Sequence, residues 1–352
     1  MHADKHNRVK KIIDEMNNVT KGSIYAIVSA ASYGLNPLGG LMLGREGMNT
    51  HTILFSRFTL AVAILAAIIA FRAIKGGGNG MRERLRQGFV LGAGAKSVST
   101  GGKGAMSKLL GSAWALVALL SVLFAVSALS LYSSYLYMDS GIASTLLFVY
   151  PIIVALIMAV FFHERITVVT VLSLALAFVG IAMLNGGGAG SLNAVGCAFV
   201  MTSSVAYSVY IVALNCWRVK IPVLTLNMYV MALCACLIAL HSLTADDYRL
   251  MMLPTANAVG YAVMLAVVPT VISLVTMTRA IELVGSTPTA IMGALEPVTA
   301  VVVGILVFGE AFTPSIAIGN LLIIAGVLLI IGSRQVLAFM RLAMRGVRRL
   351  HM

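Results

Sequence analysis

Residues 141–164 read GIASTLLFVYPIIVALIMAVFFHE, and residues 285–310 read GSTPTAIMGALEPVTAVVVGILVFGE. Both stretches are almost wholly apolar, and each holds a proline 13 residues before its terminal glutamate: Pro151 before Glu164, and Pro297 before Glu310. A helix needs about 20 apolar residues to cross the hydrocarbon core of a membrane. Each stretch therefore predicts a transmembrane helix, and the shared pattern indicates an internal repeat.

The composition predicts a membrane protein throughout. Hydrophobic residues make up 60% of the chain and charged residues 11%, with a mean hydropathy of +0.97. A soluble surface would need roughly a quarter of its residues charged. Apolar segments predict ten spans, numbered here along the chain; spans 4 and 9 are the two quoted stretches. The other eight are predicted within residues 22–44, 49–71, 109–138, 166–217 (two spans divided by the turn-like 185–193), 221–245, 250–278 and 311–333.

The distribution of positive charge predicts the orientation. The net charge is +13, and the basic residues fall mainly in the loops on one side, with only Arg45 and Arg249 on the other. Cytoplasmic loops of membrane proteins carry such an excess of lysine and arginine. This pattern predicts a bacterial-type inner membrane protein with both termini in the cytoplasm, and it argues against a nucleic-acid partner.

The repeat predicts two halves of opposite orientation. An offset of 146 relates spans 4 and 9 and carries Gly180 onto Gly326, whereas SYGLN at 32–36 aligns with AYSVY at 206–210 at an offset of 174. Because each half has an odd number of spans, the second half crosses the membrane in the opposite sense, which suits alternating access. The predicted divisions are a cytoplasmic N-terminal segment at 1–21, a first five-helix repeat at 22–186 with a long cytoplasmic loop at 73–111, a second repeat at 187–333, and a basic amphipathic tail at 334–352 lying along the cytoplasmic leaflet.

Taken together, the two proline–glutamate patterns, the Arg57-Phe58 pair in span 2 and the duplicated five-span plan resemble the EamA-type transporters of the drug/metabolite transporter superfamily. The resemblance implies an all-α polytopic membrane protein with ten transmembrane helices in two inverted five-helix repeats. It also implies a central cavity lined mainly by spans 1, 3, 4, 6, 8 and 9, and export of amino acids, related metabolites or drugs. The long loop between spans 2 and 3 departs from the family's usual short connection.

Glu296 is the main candidate for a transport residue, because it lies near the middle of span 9. A charge at that depth costs a few kcal/mol unless it is paired, protonated or faces a wet cavity. It could bind the amino group of a solute or carry a coupled proton. Alternatively, it could be a neutral carboxyl that caps backbone freed by Pro297.

Two arginines are further gating or coupling candidates. Arg57, in the outer third of span 2, could attract an anionic group, stabilise the outer gate, or serve structure alone. Arg279, near the inner end of span 8, could contact Glu296, or it could simply pair with Glu282 three residues further on.

Prolines within spans predict helix bends beside a cavity, since freed backbone groups need partners. The predicted bends are at Pro37, Pro151, Pro269 and Pro297. Polar and aromatic residues near the predicted bends form the candidate substrate cavity: Tyr33, Asn36, Tyr132, Tyr135, Phe148, Tyr150, Ser203 and Tyr207, together with Glu296. Such a lining suits a moderately hydrophobic amphoteric solute such as an amino acid.

These patterns predict a secondary active or facilitative transporter that exports small amphiphilic metabolites such as amino acids by alternating access, with protons as a second candidate partner and lipid around it. The alternatives are an exporter of drugs or other metabolites, and a channel-like or structural membrane protein. GAGAKS at 92–97 lacks the spacing of a phosphate-binding loop, and the six histidines are scattered along the chain without the spacing of metal ligands. We therefore expect no catalytic residues, metal or cofactor.

Overall fold

The computed structural model describes residues 2–75, 113–138, 143, 146–184, 193–216, 221–308 and 313–347. Within these residues every regular element is a helix, which confirms the predicted fold class. Eight segments are long and apolar enough to cross a membrane, and two shorter apolar helices, which form spans 4 and 5, complete the ten. The helices of the first half are His2–Tyr33 and Asn36–Arg45 (span 1), Thr50–Lys75 (span 2), Ala113–Ser134 (span 3), Tyr150–Phe162 (span 4) and Val168–Leu184 (span 5).

The second half continues the same arrangement. Its helices are Ala194–Cys216 (span 6), Val223–His241 (span 7), Ala256–Leu265, the π-helical Ala266–Ile272 and Ser273–Val284 (span 8), Ser286–Met292 and Leu295–Phe308 (span 9), and Pro314–Val347 (span 10). A short 3-10 turn, Asp246–Tyr248, lies in the loop between spans 7 and 8. Spans 8 and 9 are joined at Gly285, whose φ of +89° is readily adopted only by glycine.

Four spans depart from a regular α-helix, each beside a proline. A proline lacks the N–H that an interior helical position would donate, but it fits the first turn of a new helix. Pro37 and Pro151 both occupy that first-turn position in the helices that follow their breaks. The irregular segments are residues 34–35, 148–149, 266–272 and 293–294, beside Pro37, Pro151, Pro269 and Pro297 respectively.

The bundle is built from four closely packed helix pairs. Span 1 packs on span 8, span 3 on span 6, span 2 on span 7, and span 5 on span 10. In the repeat, spans 1–5 correspond to spans 6–10 in order. Exchanging the two halves therefore converts the pair of spans 1 and 8 into the pair of spans 6 and 3, whereas the pairs 2 and 7 and 5 and 10 are each converted into themselves. The packing therefore follows the sequence repeat.

Close glycine contacts show the same two-fold relation residue by residue. A Cβ added to Gly180 would lie 2.6 Å from the carbonyl oxygen of Gly319, and one added to Gly326 would lie 2.8 Å from that of Ser173. The offset of 146 carries Ser173 onto Gly319 and Gly180 onto Gly326, so each contact is the counterpart of the other. Spans 5 and 10 thus meet through reciprocal surfaces, as two elements related by a two-fold axis do.

Both ends of the chain differ from the predicted divisions. The helix that forms span 1 already begins at His2, so the N-terminal segment continues into the span without a break. The helix of span 10 continues to Val347, within the predicted tail. Neither junction holds a proline, so the backbone N–H groups there can stay in the helix despite Gly22 and Gly332. Glu310, GAGAKS and most of the 73–111 loop lie outside the described residues.

Candidate functional site

Three of the predicted tyrosines meet around a small cavity at the centre of the bundle, which we call the chamber. Its lining includes Tyr33 of span 1, Tyr132 of span 3 and Tyr207 of span 6, together with Arg57 of span 2. The cavity has a volume of only about 10 Å³, roughly the room that one water needs. The chamber in this structure is therefore too small for a solute larger than a water molecule.

Arg57 is buried beside the chamber and makes hydrogen bonds to neutral groups. Its Nε donates to Thr270 Oγ1 at 2.5 Å, its Nη1 to Asn36 Oδ1 at 2.5 Å, and its Nη2 to the Pro269 carbonyl at 3.3 Å. The guanidinium also lies 5.7 Å from the centre of the Tyr33 ring, a cation–π distance. These contacts tie span 2 to the irregular segments of spans 1 and 8.

The irregular segment of span 8 accounts for this arrangement. Pro269 has no N–H to donate to the Leu265 carbonyl one turn earlier, and the Thr270 hydroxyl donates to that carbonyl instead, at 2.7 Å. The same hydroxyl oxygen accepts the bond from Arg57 Nε. Sequence analysis identified Pro269 but missed Thr270, although a threonine directly after an intramembrane proline is a recognisable signal.

Glu296 lies at the start of the second helix of span 9 and is partly buried. The backbone carbonyl of Glu296 packs against Gly34, so the irregular segments of spans 1 and 9 touch. Its side chain interacts electrostatically with Tyr33, Tyr150 and Tyr207. Among the described residues, its carboxylate has no salt-bridge partner. Tyr33 is thus a common neighbour of Glu296 and Arg57.

Tyr150 and the serines of span 6 bind backbone groups beside the irregular segments of spans 4 and 9. The Tyr150 hydroxyl donates to the Ala290 carbonyl at 3.4 Å, and Gly293 leaves the space that the phenol occupies. Ser204 donates to the Leu147 carbonyl at 3.1 Å and Ser208 to the Tyr150 carbonyl at 3.0 Å. Each bond links one span to a carbonyl of another, as expected where helices are interrupted inside a membrane.

The remaining aromatic candidates surround this cluster. The rings of Tyr150 and Tyr207 meet edge to face with centroids 5.0 Å apart, and Phe148 lies 5.8 Å from Tyr150. Tyr135 packs beside Tyr132 at 5.5 Å, at the end of span 3. The structure therefore brings the predicted aromatic residues into one connected set around the chamber.

Ser203 belongs to a pair of serine contacts that the repeat relates to one another. Ser127 of span 3 and Ser203 of span 6 have hydroxyl oxygens 3.0 Å apart, and those of Ser29 of span 1 and Ser273 of span 8 are 3.1 Å apart. The offset of 146 carries Ser127 onto Ser273, and the offset of 174 carries Ser29 onto Ser203. Applying the two offsets to every polar intramembrane residue would have identified these serines as equivalent positions from the sequence, but not their contacts.

Arg279 lies apart from the chamber. Its Nη1 is 2.7 Å from Glu282 Oε2, and both side chains are exposed. This is the local pair that the spacing allowed, and the structure does not bring Arg279 to Glu296.

The histidines are less scattered than the sequence indicated. His51 Nε2 and His241 Nδ1 lie 2.8 Å apart, and the Tyr248 ring stacks on His51 with centroids separated by 4.4 Å. His51 at the start of span 2 and His241 at the end of span 7 thus join two spans that are far apart in sequence but form one packed pair. No group of three metal-ligating side chains occurs in the part of the chain that the structure describes.

Comparison with known proteins agrees with this architecture. The profile of the EamA-like transporter family matches residues 20–186 and 194–332. A protein of Archaeoglobus fulgidus, described as an uncharacterized transporter, is 26% identical over 198 residues, which cover 56% of this chain and 70% of that protein. A solved structure, titled only as the crystal structure of a protein, superposes with a TM-score of 0.67 at 15% identity over 88% of this chain and 96% of the other. At that identity, the superposition shows a shared fold.

Proposed function

We propose, on the premise that this chain belongs to the EamA-like transporter family, that it exports small amphiphilic metabolites such as amino acids by alternating access. Membership in the family makes it a multi-pass membrane transporter. The solute, the direction, the two-state mechanism, the bacterial-type inner membrane and the cytoplasmic termini are our proposals.

One observation carries the choice of solute: the Glu296 carboxyl and the Arg57 guanidinium share Tyr33 as a neighbour at the chamber. Glu296 and Arg57 form no salt bridge among the described residues. An amino acid carries an ammonium and a carboxylate, which would pair with the ionised form of the Glu296 carboxyl and with the Arg57 guanidinium. The tyrosine faces suit its apolar side chain and, through cation–π attraction, its ammonium.

The packing of the two halves supports alternating access. When the two halves are exchanged, the pair of spans 1 and 8 becomes the pair of spans 6 and 3, and each of the other two pairs becomes itself. In such a protein, exchanging the conformations of the halves converts an outward-open state into an inward-open one. A static scaffold has no need of this relation, and a channel has no need of two gates that close in turn.

The test is uptake of radiolabelled amino acids into proteoliposomes, with and without an imposed pH gradient. The proposal is supported if the unaltered protein shows saturable uptake. It also requires that Glu296→Gln either abolishes this uptake or removes its response to the pH gradient. The matched control is Glu282→Gln, the same change on an exposed acid at the cytoplasmic end of span 8. Equal uptake by both variants, with unchanged response to the gradient, would leave Glu296 a structural residue.

A further inference from the structure

Two contacts across the chamber occupy related places in the two halves, one toward each end. We infer that they are the gates of the carrier: Tyr132 on Asn36 closes the outer end, and Tyr207 on Met277 closes the inner end. We further infer that the two gates are unequal, so that the carrier opens to the cytoplasm more readily. The inference rests on the proposed alternating access and adds the residues and the direction.

The first step is where the chamber lies. Spans 1 and 8 form one packed pair, and spans 3 and 6 form the other. Within each pair a serine–serine contact joins the two helices. Tyr33 belongs to the first pair, whereas Tyr132 and Tyr207 belong to the second, so the chamber separates two internally bonded units.

The second step is what joins the units. Among the described residues, two hydrogen bonds run directly between them. The Tyr132 hydroxyl donates to Asn36 Oδ1 at 3.3 Å, and the Tyr207 hydroxyl donates to Met277 Sδ at 3.2 Å. With the N-terminus in the cytoplasm, the first bond lies in the outer half of the membrane and the second in the inner half.

The third step is that the repeat relates the two bonds. The offset of 174 carries Asn36 onto Tyr210, and the offset of 146 carries Tyr132 onto Thr278. Tyr210 and Thr278 lie within one helical turn of Tyr207 and Met277. Both contacts are formed together in this conformation, and the chamber between them has a volume of only about 10 Å³.

The fourth step is that the gates differ in strength. Asn36 Oδ1 also accepts a charge-assisted bond from Arg57, which holds it in place for Tyr132. At the inner end the acceptor is a thioether, which is a weak acceptor on a flexible side chain. Opening the inner gate therefore loses less than opening the outer gate. A carrier with this inequality exposes its chamber more often to the cytoplasm, which is the side from which an exporter takes up its solute.

The experiment measures access to the chamber from each side. Ala128 lines the chamber, so Ala128→Cys places a reporter thiol there. A membrane-impermeant maleimide is added to right-side-out or inside-out vesicles. Mass spectrometry of the peptide that contains residue 128 separates this label from that on the native cysteines.

The expected result is faster labelling from the cytoplasmic side. Tyr132→Phe removes one bond from the outer gate and should raise labelling from outside by about 2- to 10-fold, the effect of one net hydrogen bond. Tyr207→Phe is the matched change at the inner gate; it should raise cytoplasmic labelling by a smaller factor. Asn36→Asp, which gives Arg57 and Tyr132 a charged acceptor, should lower labelling from outside, so the two outer variants move in opposite directions.

Faster labelling from outside in the parent, or outer labelling unchanged in both Tyr132→Phe and Asn36→Asp, would overturn the inference. Labelling needs no solute, so it fails or succeeds separately from the solute proposal. A protein that labels as expected but takes up no amino acid would support the gates and reject that solute class.

Discussion

The clearest stability prediction concerns the hydroxyl of Thr270. Replacing Thr270 with valine keeps the shape of the side chain but removes an oxygen that donates to the Leu265 carbonyl at 2.7 Å and accepts from Arg57 Nε at 2.5 Å. A neutral hydrogen bond contributes a net 0.5–1.5 kcal/mol and one to a charged group about 1.5–3 kcal/mol. Since both partners stay buried, we expect Thr270→Val to lower the free energy of unfolding by about 2–4 kcal/mol.

Thr276 offers a matched control six residues along the same span. This residue is half-buried, and its hydroxyl donates to carbonyls of its own span, those of Ile272 and Ser273. Thr276→Val should therefore change the free energy of unfolding by no more than about 0.5 kcal/mol. Unfolding both variants by titrating SDS into mixed micelles provides the comparison, and Thr270→Ser should recover most of the loss. If Thr270→Val matched Thr276→Val, the reasoning about Pro269 and Arg57 would be wrong.

Three further predictions follow from other contacts. Gly326→Ala should lower the free energy of unfolding by about 1–3 kcal/mol, because the new Cβ would meet the Ser173 carbonyl. The control is Gly260→Ala: Gly260 has open space around it, so this change should be neutral or stabilising in the same SDS titration. Glu296→Gln should reduce amino acid uptake at least about tenfold if an ammonium loses its charged partner, and unchanged kinetics would rule out that role. Protonation of both the His51 and His241 rings would make all four ring nitrogens donors and remove their hydrogen bond. The protection factors of the amides in the 242–255 loop, which correct for the intrinsic pH dependence of exchange, should then fall at low pH in the parent but stay nearly constant in His241→Gln, and equal pH profiles would refute the contact's role.

The number and kind of spans followed from the sequence because lipid imposes simple demands on it. A segment that crosses the hydrocarbon must be apolar and about 20 residues long, and both properties are local. The repeat could also be found, since Pro151 and Pro297 stand at the same distance from a glutamate. Local pattern was therefore enough for the architecture.

The chamber was harder to predict, because its contacts depend on which faces of distant helices meet. Arg57 left several roles open in the sequence, and only the bonds to Asn36, Thr270 and the Pro269 carbonyl show how its charge is accommodated. His51 and His241 are 190 residues apart in the sequence, and this spacing does not predict their contact. By contrast, the two repeat offsets show from the sequence that the four serines occupy equivalent positions, although only the structure shows which of them are in contact.

The central claim, that this protein carries solute by alternating access, is tested most directly by counterflow. Proteoliposomes are preloaded with an unlabelled amino acid and diluted into a trace of the same radiolabelled solute. A carrier with two alternating gates exchanges the two, so the account predicts a transient accumulation of label above its equilibrium level. A channel allows the label only to equilibrate; a monotonic approach to equilibrium with a solute that the protein demonstrably passes would contradict the account.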